Sequence, residues 1–304
     1  MIGTLAALAA LNLGELRENY PLEKWCTIRA GGPAEAWVRP STADNLVTLL
    51  KFCRNENVPL SLLGGGANTL IGDGGIPGVT LKLPGDLFPE TLERIDGAGR
   101  ITLGAGAAIT RLVKLMKTNK LVGAEFLAGI PGTIGGATAM NAGTKNGECM
   151  TRVESIELAT ADGIGWVDAK QIPFRYRHTE LPAGSVVTRV RFLLPEGDLA
   201  ESQAKMDADL GYRKRTQPLS QPNFGSVFTN PPGDHAGRLI ETVQLKGHTI
   251  GRAQISTLHA NWIVNLGGAK AADVVALMDL ARQRVREATG ISLTPEVKRI
   301  GVFT

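Results

Sequence analysis

The run L-S-L-L-G-G-G-A-N-T-L, Leu60 to Leu70, decides the fold. Leu60 to Leu63 follows Pro59 as a short apolar run, the length of a buried strand, and it leads straight into Gly64, Gly65 and Gly66. Glycine lets backbone N–H groups converge on an anion without a Cβ in the way, and it tolerates positive φ. A strand feeding such a loop is an arrangement that cradles a diphosphate. Two more clusters lie on either side, Gly31-Gly32-Pro33 and Gly129-Ile-Pro-Gly-Thr-Ile-Gly-Gly136. One cluster alone reads as a tight turn, whereas three in one region point to a dinucleotide-type cofactor. There is no G-x-x-x-x-G-K-[ST] P-loop, and no G-x-G-x-x-G opening a helix with an acidic residue about 20 positions on. A large cofactor held by several separate loops points to a flavin.

The surrounding pattern is α/β. Ser41 to Asn57 reads as a helix with an S-x-x-D capping box at Ser41 and Asp44 and a buried stripe of Leu46, Leu49, Leu50 and Cys53. Val79 to Leu83 is the next strand. Ile101 to Leu103, Val153 to Leu158 and Val186 to Leu193 are strands, with one helix, Ile109 to Lys120, whose core face is Leu112, Val113 and Met116. Gly129 to Gly147 is a long glycine-rich loop, and long ordered loops are usually functional. Leu199 to Arg215 is a charged helix. Ala236 to Lys246 and Ala271 to Thr289 are helices, the second with Val274, Leu277, Met278, Ala281, Val285 and Ala288 at helical spacing and Gly290 as its stop. Ile291 to Phe303 holds a strand or two. The expected division is an N-terminal helical extension (1–20), two cofactor-binding lobes (21–85 and 86–197) and a further α/β domain (198–304).

Composition narrows the classes. The chain has 304 residues, enough for two or three small domains, with 43% hydrophobic and 20% charged residues, which excludes wholesale disorder. Its 37 glycines are about 12% of the chain, against a usual ~7%. Cys26, Cys53 and Cys149 are far apart with no C-x-x-C, and His178, His235, His248 and His259 have no ligand spacing, so neither a disulfide framework nor a metal site is expected. Met1 to Leu13 is apolar, but no Lys or Arg precedes Arg17, so a short amphipathic helix with Leu5, Leu8, Leu13 and Leu16 fits better than an export signal. No run reaches the ~18 residues of a membrane span. A cytoplasmic protein is expected. The net charge of +4 leans towards anionic ligands. Nucleic acid is not expected as a partner, because aromatics are 5% of the chain and Arg282, Arg284 and Arg286 form no single helical stripe.

The motifs also carry a resemblance. L-G-G-G-A-N-T-L (Leu63 to Leu70), E-F-L-A-G-I-P-G-T-I-G-G-A (Glu125 to Ala137), M-N-A-G (Met140 to Gly143) and T-I-R-A-G-G-P-A (Thr27 to Ala34) resemble segments of the UDP-N-acetylenolpyruvoylglucosamine reductase (MurB) family. Y-R-H-T (Tyr176 to Thr179), G-S-V-F-T-N-P (Gly225 to Pro231), A-G-R-L-I-E (Ala236 to Glu241), H-A-N-W-I-V-N (His259 to Asn265) and P-E-V-K-R-I-G (Pro295 to Gly301) follow in that family's order. Only 35 residues separate Arg177 from Arg213, which is similar to the shorter, type II form.

The resemblance implies three small α/β domains. Two would form a vanillyl-alcohol-oxidase-like module for non-covalent FAD, and one would hold UDP-N-acetylglucosamine enolpyruvate, reduced with NADPH to UDP-N-acetylmuramate for peptidoglycan synthesis, and so for the cell wall, cell shape and division. The cofactor positions it implies are Arg29, Gly31, Gly32, Gly64, Gly65, Gly66, Asn68, Thr69, Gly129, Ile130, Pro131, Gly132, Gly135 and Gly136. It places Arg177 on the substrate carboxylate, where a planar guanidinium suits two oxygens. It makes Ser226 the proton donor and lets Glu296 polarise the enolpyruvyl group. Tyr176, Arg213 and Asn230 are implied to bind substrate, with Asn230 near the diphosphate. By their own pattern these residues read otherwise: Arg177 as a strand arginine, Ser226 as a turn serine and Glu296 as an exposed glutamate, so the assignments rest on the resemblance.

Some positions depart from the family pattern. Ala67 stands where a serine is usual, Ile28 and Ala30 flank Arg29, and Gln217 and Thr229 stand where many relatives carry lysine. Another flavin oxidoreductase of the same fold would keep the glycine segments yet need no ordered Ser226 and Glu296.

Overall fold

The computed structural model describes residues 2–303. Seven α-helices occur among them: α1 (Ile2–Ala10), α2 (Ala43–Asn55), α3 (Ile109–Thr118), α4 (Ile134–Ala139), α5 (Leu199–Thr216), α6 (Ala236–Thr242) and α7 (Ala271–Thr289). The chain divides into two compact units, and both are discontinuous. The first ends its opening segment at Arg17 and takes in Ala36–Gly65 and Val79–Gly211; the second is Glu18–Glu35, Gly66–Gly78 and the residues from Tyr212 on.

A five-stranded antiparallel sheet dominates the first unit, in the order Gly163–Asp168, Val153–Thr160, Val186–Pro195, Ala98–Gly104, Thr91–Ile95. Strand Val186–Pro195 shows why it forms: Val190, Phe192 and Leu194 are buried, while Arg189, Arg191 and Leu193 alternate with them on the other face. α3 buries Ile109, Leu112 and Met116, with Val113 at the margin. A four-stranded sheet in the order Gly14–Tyr20, Ala34–Pro40, Ile76–Leu81, Leu60–Leu62 has a parallel pair at its end, with Leu60 opposite Val79. α2 buries the expected Leu46, Leu49, Leu50 and Cys53 in the core shared with the five-stranded sheet.

The second unit is built on an antiparallel sheet, Asn223–Ser226, Trp262–Asn265, Ala253–Ile255, Thr249–Ile250. α7 has the expected bounds and stops at Gly290, whose φ is +75°. Strand Lys298–Ile300 pairs in parallel with Thr69–Ile71. Asp73 caps α7, its carboxylate accepting the N–H groups of Ala271 at 2.8 Å and Ala272 at 2.9 Å.

Several expectations are corrected. Thr42, not Ser41, caps α2; its Oγ1 accepts the Asn45 N–H at 3.1 Å, because the helix starts at Ala43 and Asn45 is its third residue. The N-terminal extension is not helical throughout: α1 ends at Ala10, Leu13 and Leu16 lie beyond it, and Gly14–Tyr20 is an edge strand. α6 stops at Thr242, since the chain turns through positive φ at Gln244 and Gly247. The stretch from Gly129 to Gly147 contains α4 and a hairpin of Gly143–Thr144 with Gly147–Glu148. Both compact units draw on distant parts of the chain, residues 18–35 and 66–78 grouping with C-terminal segments. Among the described residues no helix is long and apolar enough to cross a membrane, and no cluster of three His, Cys, Asp or Glu could hold a metal.

Candidate functional site

In the first unit the two long glycine segments lie backbone against backbone. A Cβ at Gly65 would stand 2.6 Å from the Gly132 Cα, so this approach requires glycine. The N–H groups of α4 are already used. Ile134 donates to Ala107 O at 2.8 Å, Gly135 to Ala105 O at 2.9 Å and Gly136 to Thr133 Oγ1 at 3.3 Å. Gly135 and Gly136 therefore serve packing and the local turn through their amides. The N–H groups of Gly64 and Gly65, by contrast, have no acceptor among the described residues. Two adjacent donors beside a loop without side chains fit an anionic diphosphate. Gly129 and Pro131 are exposed and Ile130 is half-buried, leaving an apolar segment beside them.

Two first-unit side chains with no role assigned from the sequence brace these segments, Lys82 outside the quoted motifs and Asn141 inside M-N-A-G. Lys82 donates from its ammonium to Gly64 O, and burial together with the charge of Arg39 pushes its pKa down to about 8. Asn141, fully buried at φ +42°, accepts the Met150 N–H at 3.0 Å and donates to Glu148 and to Arg175 O. That last bond, with Thr179 Oγ1 donating to Thr138 O at 2.6 Å, ties the hairpin of Phe174–Arg175 and His178–Thr179 to α4. Tyr176 and Arg177 form its turn. Arg177 has φ +59°, and its guanidinium lies 4.9 Å from the centroid of the Tyr176 ring.

The second unit holds the remaining predicted positions. Arg29 has φ +55°, and a Cβ at Gly31 would meet the Ile71 Cβ at 2.6 Å. Asn265 holds this turn: its buried Nδ2 donates to Ile28 O at 2.9 Å and Arg29 O at 3.0 Å, while its Oδ1 accepts the N–H groups of Gly267 and Ala269. Thr69 sits on the strand paired with Lys298. Ser226 ends the strand Asn223–Ser226, and the next residue, Val227, accepts the Glu296 N–H at 2.8 Å. Asn68 donates to Glu296 O at 3.2 Å. Ser226, Glu296 and Asn68 are thus brought onto adjoining segments. Asn261 orients them: its side chain accepts from Phe228 N at 3.0 Å and donates to Phe228 O at 2.8 Å. His259 Nδ1 accepts the Asn261 N–H at 3.2 Å, and burial lowers its pKa, which keeps that nitrogen an acceptor.

Asn230 accepts the Ala236 N–H at 3.1 Å, and Arg213 donates to Gln217 Oε1 at 3.0 Å. Gly64 to Ala67 carry no side-chain donor, which leaves the backbone as the donor in the triple-glycine loop. Asn141, Asn265 and Asp73 lay inside or beside quoted motifs, but only three-dimensional pairing reveals what they hold.

Two family profiles match the chain: an FAD binding domain over residues 34–166, and the C-terminal domain of UDP-N-acetylenolpyruvoylglucosamine reductase over residues 217–300. A UDP-N-acetylenolpyruvoylglucosamine reductase of Myxococcus xanthus (strain DK1622) is 65% identical, covering 99% of this chain and 98% of that protein. One from Anaeromyxobacter sp. (strain Fw109-5) is 54% identical, over 95% of this chain and 90% of its own length. The crystal structure of UDP-N-acetylenolpyruvylglucosamine reductase from Thermus caldophilus is similar at a TM-score of 0.80 and 35% identity, covering 94% of this chain and 98% of that one.

Proposed function

From the premise that this chain belongs to the UDP-N-acetylenolpyruvoylglucosamine reductase family, we propose which of its residues carry the reaction. The protein is an FAD-dependent oxidoreductase that reduces UDP-N-acetylglucosamine enolpyruvate to UDP-N-acetylmuramate with NADPH, a step of peptidoglycan precursor synthesis. FAD, when bound, supplies the two-electron chemistry between NADPH and the enolpyruvyl group. The glycine segments suit it, and the Gly64 and Gly65 amides, which have no acceptor among the described residues, would hold its diphosphate. Arg29, Gly31, Gly32, Gly66, Asn68, Thr69 and the Gly129 to Gly136 segment complete the proposed cofactor positions, Gly135 and Gly136 through their lack of side chains, since their amides are already bonded.

Reduction at the β carbon leaves negative charge on the α carbon and its carboxylate, and a proton must then reach the α carbon. Arg177 pairs with that carboxylate through its planar fork. Ser226 holds the proton delivered to the α carbon. A serine hydroxyl is a weak acid, so it needs neighbours that stabilise its alkoxide. Glu296 polarises the enolpyruvyl group. Tyr176, Arg213 and Asn230 bind the substrate, Asn230 near its diphosphate. The observation supporting the joint role of Ser226 and Glu296 is the bond from Glu296 N to Val227 O, which keeps the Glu296 backbone beside the residue that follows Ser226.

We further place the enzyme in the cytoplasm, where UDP-linked precursors and NADPH are soluble, with no nucleic-acid partner, and with cell shape and division depending on its product. The test is anaerobic stopped-flow: NADPH-reduced protein mixed with UDP-N-acetylglucosamine enolpyruvate, followed by flavin absorbance. Wild type reoxidises rapidly, and Ser226→Ala slows that by about 10²–10⁴-fold. Equal rates in the two proteins would remove Ser226 from the role.

A further inference from the structure

Lys82 follows the strand Ile76–Leu81, and its own N–H donates to Val38 O at 2.9 Å, so its backbone is fixed beside the strand Ala34–Pro40. Its side chain runs to the triple-glycine loop, where the ammonium donates to the carbonyl of Gly64. The site is costly for a cation: Lys82 is half-buried, it feels the charge of Arg39, and its pKa is pushed down to about 8. A buried cation set beside another cation is poorly explained as a device for stability.

The carbonyl it holds belongs to the peptide whose N–H is that of Gly65. No described peptide bond is cis, and in a trans peptide the C=O and N–H point in opposite directions. Drawing the Gly64 carbonyl towards Lys82 therefore turns the Gly65 N–H away from it, and that N–H has no acceptor among the described residues. A cation on the oxygen also polarises the peptide and strengthens the donor at its far end. Gly64, Gly65, Gly66 and Ala67 carry no side-chain donor, so this part of the loop depends on its backbone N–H groups.

We propose that Lys82 is a positioning residue for the cofactor, acting through the Gly64–Gly65 peptide to aim and polarise an N–H donor at the FAD diphosphate and to supply that anion with a buried counter-charge. This rests on the reading that the loop Leu63 to Leu70 holds the diphosphate.

The test uses the full-length protein stripped of flavin, titrated with FAD and followed by flavin fluorescence, with thermal melting of the flavin-free protein alongside. Lys82→Met is expected to weaken FAD binding by about tenfold or more, the size of a lost charge-assisted hydrogen bond. Its flavin-free melting temperature should stay level or rise, since an unfavourable buried charge is gone. Lys82→Arg should recover most of the affinity. A lysine that merely supports the fold would instead lower the melting temperature and the affinity together. If Lys82→Met does not fold, Lys82→Gln takes its place with the same expectation. Affinity within about twofold of wild type in the neutral variant overturns the proposal, as does lost affinity with a matching loss of melting temperature. A wild-type protein that takes up no FAD would remove the reading of the loop itself, whereas wild-type binding with an indifferent variant removes only the role of Lys82.

Discussion

At Asn265 a single buried amide makes four hydrogen bonds, two given to the carbonyls of residues 28 and 29 and two accepted from the loop after it. Its partners are main-chain groups, so shortening it strands buried carbonyls and amides, each costly to leave unmet. Asn265→Ala is expected to lower stability by about 2–4 kcal/mol, read from the urea midpoint, and to weaken FAD binding because the Arg29 turn loosens. Lys82 gives the pH dependence. Its folded pKa, about 8, lies below the unfolded lysine value, so above about pH 8 and up to about pH 10.4 the unfolded chain binds more protons and stability rises with pH. Flavin-free wild type should gain in urea midpoint between about pH 7.5 and about pH 9.5 relative to Lys82→Met. An identical pH profile in the two proteins would contradict this assignment.

Helix α7 shows what can and cannot be read from an element's own sequence. Its bounds follow from its apolar spacing and from Gly290, both local. Its cap is local only in part: Asp273 accepts the Lys270 N–H at 3.0 Å, but Asp73, 198 residues before Ala271, accepts two further amides of the first turn. Asp73→Ala should cost about 1 kcal/mol in a urea titration, and Asp73→Asn clearly less. α4 was illegible for the opposite reason. I-G-G-A-T-A carries two glycines, each costing about 1 kcal/mol in a helix, yet it winds because the carbonyls of Ala105 and Ala107 take its first amides. Strand Gly14–Tyr20 is polar and does not alternate, so only its neighbour in the sheet reveals it. The Ser41 box misled by one residue, because Thr42 offers the same chemistry one position later.

Over the whole molecule, the order of motifs carried the family and the cofactor, since glycine demand and loop chemistry are written locally. The division into units was not legible, because it depends on which distant segments pair. Residues 66–78 group with the C-terminal part through the ladder of Lys298, Arg299 and Ile300 on Thr69, Leu70 and Ile71, and no local pattern announces that pairing. The same ladder governs how the chain is made. Asn68 and Glu296 are 228 residues apart, so at about 5–20 residues per second a ribosome delivers Gly31, Gly32 and Asn68 many seconds before the strand and amide that will hold them. Until then these segments are exposed nascent chain, open to chaperones and proteases. A message cut short before the codon for Lys298 leaves the second unit without the edge that anchors Thr69, so the three codons from Lys298 to Ile300 decide whether translation has produced an enzyme or waste.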